Sequence, residues 1–485
     1  MKQYIGKVLA LTFLATILAV GCTDSFEEVN TDPDRAKDAP ATNVLAFVLR
    51  YHASSFHDPW NDMNEPSTFG GHLAKIQYID EARYNYRPGT VENKWYQGYI
   101  QLNNVNEIKK KAQASNANNL LGVAKVMEAY IYQLMTDTWR DVPFSQAIKL
   151  SDGVLLPTYD RQEEIYPALL TILAEANTLM ASGSTDMLGE GDLVYGGNVM
   201  KWRRFANSLR LRIAMRMSGV NAALAKSTVE AIMGNPTQNP IMSGNADNAF
   251  FVWPGVNPYE EPWFVDSKSR DDHGVSDLLI NHLKNLSDPR LPVYARPATA
   301  DGEYRGFTIG AANQPNLATI SRIGTRFRYD PAGFSPFMRY AEVMFHVAEA
   351  AAKGYNVGMS AEQAYNKGVE ASLLENGIST AAVAAYLDGP AKYNGTLGQI
   401  YLQEWISLFK QGMEAWSLYR RTGVPTNHYV APGSVYPGHN SPPFRYPYPQ
   451  NELTLNGGNS TAFANEVTDH FWGKKMWWDT RTGVQ

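Results

Sequence analysis

The chain has 485 residues, of which 44% are hydrophobic and 19% are charged, and its formal net charge is −5. This length and composition allow a large buried core and one or two ordinary domains. The small negative charge offers no basic stripe to neutralise phosphates, so we do not expect a nucleic acid partner. Cys22 is the only cysteine, which excludes an internal disulfide framework.

The N-terminal segment has the three parts of a secretory signal. Lys2 and Lys7 form a positive region, residues 8–20 are apolar, and small residues precede Cys22. The apolar run of roughly thirteen residues is shorter than the about 20 residues that a membrane-spanning helix needs. We therefore predict that residues 1–21 are removed as a signal peptide.

Cys22 stands where a bacterial lipobox places the cysteine that receives lipid, so we predict a diacylglyceryl thioether and acylation, for example by palmitate, at this residue. Ala19 occupies the position where Leu is commonest, which leaves ordinary signal-peptide cleavage open. Residues 22–40 are polar and acidic and contain Pro33 and Pro40, as expected of a tether. The mature protein would then be anchored by lipid and would not span the membrane.

Several segments repeat apolar residues at the spacing of an amphipathic helix. They lie at residues 120–134, 202–213, 340–351 and 401–419. The third continues past Gly354 into a second helix from about Ala361, with small residues such as Gly368 where the two helices approach. This layout fits a tetratricopeptide-like hairpin of roughly 34 residues. The predicted fold class is therefore mainly α, with a scaffold of such helical hairpins.

The stretch from about 235 to 337 is rich in Pro, Gly, Asn and aromatic residues, and a second aromatic-rich stretch runs from Tyr78 to Trp95. Long irregular segments in a compact protein usually carry function. We predict that residues 41–485 form one domain, in which the helical scaffold carries a loop-rich, aromatic-rich ligand-binding face.

A sugar-binding site combines flat aromatic rings, which pack on the C–H face of a pyranose, with short polar side chains for the hydroxyl groups. The two aromatic-rich stretches offer this mixture in nine candidate ligand contacts: Trp253, Tyr259, Trp263, Arg270, Asp271, Asp272, Tyr78, Tyr84 and Tyr86. With 12% aromatic residues in the chain, most of the rings must pack in the core.

One predicted helix face carries Glu342, His346, Glu349 and Lys353. This spacing could hold a metal ion, but a polar stripe with an exposed Glu349–Lys353 ion pair explains it as well. We favour the polar stripe, and we expect neither a metal site nor a cofactor.

Asp271, Asp272 and His273 include acid and base types that a glycosidase uses. Hydrolysis needs two carboxyl groups at a defined separation across the bond, which adjacency in sequence does not provide. The chain also contains no G-x-S-x-G, Walker or H-E-x-x-H motif. We therefore predict no catalytic residue.

A basic run lies on one predicted helix and consists of Lys201, Arg203, Arg204, Arg210, Arg212 and Arg216. In a helical scaffold such side chains pair with acidic neighbours or with helix ends. Near the end of the chain, Trp472, Trp477 and Trp478 are expected to be packing anchors.

Seven segments, in order along the chain, resemble those of the SusD/RagB-like nutrient-binding lipoproteins of the Bacteroidetes outer membrane, in particular the SusD-like starch-binding-associated group. They are Phe26 to Pro33, Asp137 to Ala147, Trp202 to Arg216, Ala341 to Ala351, Trp416 to Pro425, Phe444 to Glu452, and Trp477 to Asp479. Their number and order carry the resemblance, which covers nearly the whole mature chain.

The resemblance implies four tetratricopeptide-like hairpins and a role as a lid over a SusC-like TonB-dependent barrel. Such a protein binds an oligosaccharide, or in some relatives a peptide, non-covalently and is not an enzyme. Asp24, Glu27 and Glu28 resemble the surface-export signal of these bacteria, so an outer-membrane position facing the cell exterior is expected. Two alternatives stay open: a lipid-anchored glycoside hydrolase, and a structural lid without ligand affinity of its own.

Overall fold

Packed pairs of helices form most of the structure, a computed structural model that describes residues 39–485. The predicted signal peptide, Cys22 and residues 22–38 of the predicted tether lie outside the described residues. The helices are α1 (Ala41–Ser55), α2 (Pro66–Phe69), α3 (Pro88–Ala114), α4 (Asn118–Trp139), α5 (Gln162–Met180), α6 (Val199–Arg216), α7 (Ala222–Met233), α8 (Pro262–Ser267), α9 (Asp277–Asn285), α10 (Leu291–Tyr294), α11 (Thr325–Arg328), α12 (Tyr340–Ala352), α13 (Ala361–Glu375), α14 (Thr380–Asp388), α15 (Leu397–Ser407), α16 (Gly412–Thr422), α17 (Gln450–Leu455) and α18 (Gly457–Ala464).

Four consecutive helix pairs pack as hairpins: α3 with α4, α5 with α6, α12 with α13, and α15 with α16. Helix α1 packs on α3, and α6 joins the two halves of the scaffold through its contacts with α4 and α12. The prediction of a mainly helical fold built on helical hairpins is confirmed. Among residues 39–485, no helix is both long and apolar enough to cross a membrane.

Local signals in the sequence explain where the helices begin. The Asn198 side chain accepts a hydrogen bond from the Lys201 backbone N–H at 3.1 Å and caps α6. Ser360 and Gln363 form a reciprocal capping box at the start of α13. Pro88 opens α3, where its missing N–H has no helical partner to lose.

The predicted hairpin at residues 340–376 is confirmed in detail. Helices α12 and α13 are separated by a turn in which Gly354 has a φ of +78°. A Cβ atom at Gly368 would lie 2.9 Å from the Phe345 ring, so only glycine allows this close approach of the two helices.

The periodic segment at residues 401–419 does not form one helix, because α15 ends at Ser407 and α16 begins at Gly412. Lys410, between them, has a φ of +69° and is fully buried. Its ammonium group pairs with Glu261 at 2.9 Å and lies 4.7 Å from the centre of the Trp263 ring. This buried ion pair requires the chain to turn at a position where the apolar period alone predicts a continuous helix.

The loop-rich stretch is more ordered than its composition predicts. It contains α8–α11 and most of the strands, which are β1 (Leu73–Lys75), β2 (Ala249–Val252), β3 (His273–Val275), β4 (Ala295–Arg296), β5 (Arg322–Ile323) and β6 (Phe334–Met338). Strands β1, β3, β5 and β4 form, in this order, an antiparallel sheet in which Leu73 pairs with Val275. Strands β2 and β6 form a second antiparallel pair, with Phe251 opposite Ser335.

A buried ion network lies between the four hairpins. Arg212 donates to both carboxylate oxygens of Glu342, at 2.5 and 2.8 Å. Arg216 donates to Asp137 at 2.5 Å and also to Glu414. All five side chains are at most 5% exposed. Burial alone would raise the pKa of Glu342, but the guanidinium of Arg212 lowers this pKa to about 2.

Three of the five arginines of α6 pair with acidic neighbours as predicted, namely Arg204, Arg212 and Arg216. Arg203 and Arg210 instead donate to the side-chain oxygens of Asn177 and Asn207.

The polar stripe predicted on α12 is wrong in one respect, because Glu342, His346 and Glu349 are buried and only Lys353 is exposed. Glu349 is 0% exposed and binds Arg421 at 2.6 Å as well as Lys353 at 2.8 Å. The stripe faces the core because α6, α15 and α16 supply its counter-charges and partners.

The terminal tryptophans pack as predicted. The Trp478 indole is 1% exposed and donates to Asp137 at 3.0 Å, so the C-terminal segment closes the ion network. Trp472 stacks on His439 with ring centres 3.9 Å apart, and Trp477 packs against Tyr166.

The network predicts a large effect of removing one charge. Arg216→Met leaves two carboxylates buried without this counter-ion, and we expect it to lower the free energy of unfolding by about 3–5 kcal/mol. Arg305→Met is the matched control, because Arg305 pairs with Asp301 at 2.6 Å while both side chains are more than a third exposed. This control should leave the free energy of unfolding nearly unchanged, because water and salt screen the exposed pair. Urea denaturation measures both values, and equal losses would show that burial does not set the strength of these pairs.

Candidate functional site

A tight turn after α1 presents Trp60 to solvent. Residues Pro59–Met63 form a short π-helix that begins with proline, and Asp58 caps it. The Asn61 backbone N–H donates to Asp58 Oδ1 at 2.6 Å. The Trp60 side chain is 50% exposed, which is unusual for so large an apolar ring and makes it available to a ligand.

Asn61 fixes this turn to the scaffold. Its side-chain amide donates to the Ser55 carbonyl at 2.7 Å, at the end of α1, and to Gln97 Oε1 at 2.9 Å, on α3. The position of Trp60 is therefore set by two helices of the core rather than by a free loop.

The opposite wall is the segment that leads into α3. Tyr84 adopts a left-handed backbone conformation with a φ of +69°, which directs the chain back towards the start of the helix. Tyr86 is half-buried, and its ring packs against His470 with ring centres 5.5 Å apart. Arg87 pairs with Glu81 at 2.6 Å. Both Tyr86 and Arg87 thus have defined positions at the rim.

Between these walls lies an open cleft of about 580 Å³, here called the Trp60 cleft. Its volume is within the range of ordinary small-molecule sites. Besides the aromatic rings of Trp60 and Tyr86, it is lined by the polar side chains of Asp58, Asn61, Asn85, Arg87, Thr90, Asn93 and Gln97. Amide groups both donate and accept hydrogen bonds, so the cleft can satisfy a ligand with many hydroxyl groups.

A layer of buried charges supports the cleft floor. Lys94 is fully buried and donates to the Asn61 carbonyl at 2.8 Å. Burial raises the pKa of Asp58 and of Asp62 to about 6, and that of Glu65 to about 7. Burial also lowers the pKa of Lys94 to about 8. Several groups beneath the cleft therefore change charge between pH 6 and pH 8.

The nine predicted ligand contacts do not form one site. Trp253 and Tyr259 line a separate groove of about 460 Å³ with Phe47, Arg50 and Leu193. Tyr259 is 48% exposed, whereas Trp253 is buried and its indole donates to Ser335 Oγ at 3.0 Å. This groove, here called the Tyr259 groove, is more apolar than the Trp60 cleft and offers few hydrogen-bonding groups.

A second group forms a small surface platform. The Arg270 guanidinium lies 5.0 Å from the centre of the exposed Tyr78 ring and donates to Asp272 at 2.8 Å. Asp271 lies 3.5 Å from Arg322. Asp272 is buried, and His273 is buried with its Nε2 2.9 Å from Asn64 Oδ1.

The remaining candidates divide between core and cleft. Trp263 is 0% exposed, beneath Lys410, and presents no ring face to solvent. Tyr84 is also buried, where its ring packs against Trp472 and its hydroxyl accepts from the Ala431 N–H. Of the nine candidates, only Tyr86 lines the Trp60 cleft.

Sequence reasoning missed Trp60 and the amide side chains around it. A signal was present, because Asp58-Pro59-Trp60-Asn61 has the composition of a turn and contains a tryptophan. Asn93 and Gln97 are four residues apart, which places them on one face of α3. Nothing in the sequence shows that this face meets the turn. In residues 39–485, no group of three or more His, Cys, Asp or Glu side chains is placed to hold a metal ion.

Comparison with known proteins gives the family. A family model described as starch-binding and associating with the outer membrane matches residues 36–449. A chitin-binding protein of solved structure is 28% identical, with a TM-score of 0.80 over 91% of this chain and 100% of its own. No curated protein matches the chain.

Two further solved structures have the same fold. A SusD homologue from Bacteroides uniformis ATCC 8492 is 24% identical, with a TM-score of 0.80 over 92% of this chain and 100% of its own. A chitin-binding SusD homologue from Flavobacterium johnsoniae is also 24% identical, with a TM-score of 0.78 over 90% of this chain and 99% of its own. The family match covers most of the chain and agrees with the observed helical scaffold, and the chain therefore belongs to the SusD-like family.

Proposed function

We propose that this protein binds a glycan nutrient non-covalently in the Trp60 cleft and passes it to a SusC-like TonB-dependent transporter. The observation that carries the proposal is the half-exposed Trp60 ring, held rigidly beside a row of amide side chains. The chitin-binding relatives and the starch-binding description of the family support a glycan as the ligand.

The chemistry of the cleft matches that of a sugar ring. The C–H face of a pyranose packs on a flat aromatic surface, which Trp60 and Tyr86 provide. The hydroxyl groups require both donors and acceptors, which Asn85, Asn93 and Gln97 supply without adding charge. A peptide nutrient would use the same amides but would not need an exposed aromatic platform, so we favour the glycan.

The cleft is proposed to bind without catalysis. Both mechanisms of glycoside hydrolysis require two carboxyl groups that face the scissile bond. Asp58 is the only carboxylate among the side chains that line the Trp60 cleft. A lipid-anchored glycoside hydrolase would need a second carboxylate in this cleft, and the lining does not provide one.

The anchor and the partner follow from the sequence and the family. Cys22 is proposed to carry the lipid that holds the protein at the outer membrane, with the folded body facing the cell exterior. The family description, which includes association with the outer membrane, supports this location. The other alternative, a structural lid without ligand affinity of its own, does not explain why the Trp60 ring is exposed.

Ligand binding is expected to depend on Trp60. We predict that Trp60→Ala weakens binding of chitin or starch oligosaccharides at least about tenfold, since it removes the aromatic surface on which a sugar ring packs. Isothermal titration calorimetry on residues 23–485 measures this loss, while circular dichroism checks that the fold is retained.

Two aromatic substitutions outside the cleft are matched controls. Tyr78→Ala and Tyr259→Ala each remove an exposed ring, 61% and 48% exposed, from the Arg270 platform and the Tyr259 groove respectively. Both should leave glycan affinity within about twofold of the original. If either variant loses affinity while Trp60→Ala keeps it, the ligand binds at that other surface and the assignment to the Trp60 cleft is wrong.

Glycan affinity is also expected to depend on pH through Asp58. Burial raises the pKa of this carboxyl to about 6, and its ionised form accepts the hydrogen bonds that hold the Trp60 turn. Affinity should therefore be highest above pH 6 and decrease by about fivefold as pH falls through 6, since one charge-assisted hydrogen bond is weakened.

Asp58→Asn separates this effect from the titration of neighbouring carboxyls. Asp62 and Glu65 titrate over a similar range, so a pH profile of the original protein alone does not identify the group. We expect the Asn variant to bind, at every pH from 5 to 8, with the low affinity that the original protein shows below pH 6. An unchanged profile in this variant would assign the pH dependence to Asp62 or Glu65 instead.

A further inference from the structure

A second cavity lies on the first hairpin, away from the Trp60 cleft. It has a volume of about 290 Å³ and is enclosed by α3, α4 and the loop that follows α4. Its lining shares no residue with that of the Trp60 cleft. We call it the Tyr132 pocket, after the α4 side chain that lines it.

Tyr132 is the first sign that the pocket binds a ligand. The residue is only 4% exposed, and its ring packs against Phe144 with ring centres 4.7 Å apart. Its hydroxyl has no hydrogen-bond partner among the described residues, although Tyr99 and Tyr130 each donate to a backbone carbonyl. Although the ring is buried, the hydroxyl itself reaches the cavity, so this donor is available to a molecule in the pocket.

The charged side chains of the pocket favour an anion. Three lysines face two carboxylates across it: Lys109, Lys110 and Lys149 against Glu128 and Asp152. Lys109 is neutralised by Glu128 at 2.6 Å, and Lys110 donates to Ser151 at 3.3 Å. Lys110 and Lys149 have no ion-pair partner in residues 39–485, and neither has Asp152, so the lining as a whole carries one net positive charge.

The backbone next to Lys149 has an unusual conformation. Ile148, which precedes Lys149 and also lines the pocket, has a φ of +59°. A β-branched residue rarely adopts this left-handed conformation, and such strained residues concentrate at binding and catalytic sites. The strained residue is thus the direct neighbour of Lys149, one of the two lining lysines without a counter-ion.

We propose that the Tyr132 pocket binds a small oxyanion of up to monosaccharide size, the carboxylate of an acidic sugar or a phosphate group. Lys149 provides the charge, and the Tyr132 hydroxyl donates a hydrogen bond to an anion oxygen. The pocket is a site of its own, and its occupancy does not require a glycan in the Trp60 cleft.

Calorimetric titration of residues 23–485 with glucuronate, inorganic phosphate and glucose, at constant ionic strength, tests the proposal. Saturable binding of glucuronate or phosphate, with none of glucose, is expected. Preference for glucuronate would identify an acidic sugar as the ligand, and preference for phosphate would identify a phosphorylated one. Equal binding of glucose, or no binding of either anion up to about 10 mM, would overturn the proposal.

Three variants locate the binding site. Tyr132→Phe removes a hydroxyl that stabilises nothing in the protein, so it should keep the fold and weaken anion binding about fivefold. Lys149→Met should weaken it at least about tenfold. Lys367→Met is the control, because Lys367 is also exposed but lies on α13. Equal affinity in all three variants would show that the anion binds elsewhere, and glycan binding at the Trp60 cleft is measured separately with Trp60→Ala.

Discussion

The helical scaffold depends on the buried pairing of Arg212 and Arg216 with three carboxylates. One helix from each of the four hairpins contributes to it: α4, α6, α12 and α16. Removing these charges from water is costly, and the cost is offset only when every partner is in position. The network therefore favours one mutual arrangement of the hairpins over others that would bury similar apolar area.

The Trp60 cleft is rigid for a related reason. The turn that presents Trp60 is tied through Asn61 to the end of α1 and to Gln97 on α3, and Lys94 supports it from below. Because α3 belongs to the first hairpin, whose partner α4 carries Asp137 of the ion network, the cleft has a fixed base. A binding surface that is already ordered loses less conformational entropy when a ligand binds.

The sequence was sufficient to predict the helical hairpins, because these depend on local periodicity and on capping residues such as Ser360. It was also sufficient to predict that most arginines of α6 have acidic partners, although Arg203 and Arg210 bind amide oxygens instead. The spacing of apolar residues did not reveal the break between α15 and α16. At this break Lys410 forms a buried ion pair with Glu261, which is distant in the chain. The burial of Glu349 has the same origin, since its counter-ion Arg421 comes from another hairpin.

The candidate site was predicted less well, because composition does not distinguish a ligand platform from a core ring. Trp263 and Trp60 both follow a proline in a polar turn, yet one is fully buried and the other is half exposed. The difference arises from what packs over each ring, which is Lys410 for Trp263. Long-range contacts of this kind are not encoded in any short segment.

One consequence follows from where the cleft lies in the chain. Its lining comes entirely from a single stretch, residues 58–97, whereas the ion network draws on residues between Asp137 and Trp478. Distant sites without shared partners contribute nearly independently to stability. Substitutions of the lining side chains that face solvent can therefore alter the proposed ligand contacts while the ion network keeps all of its partners.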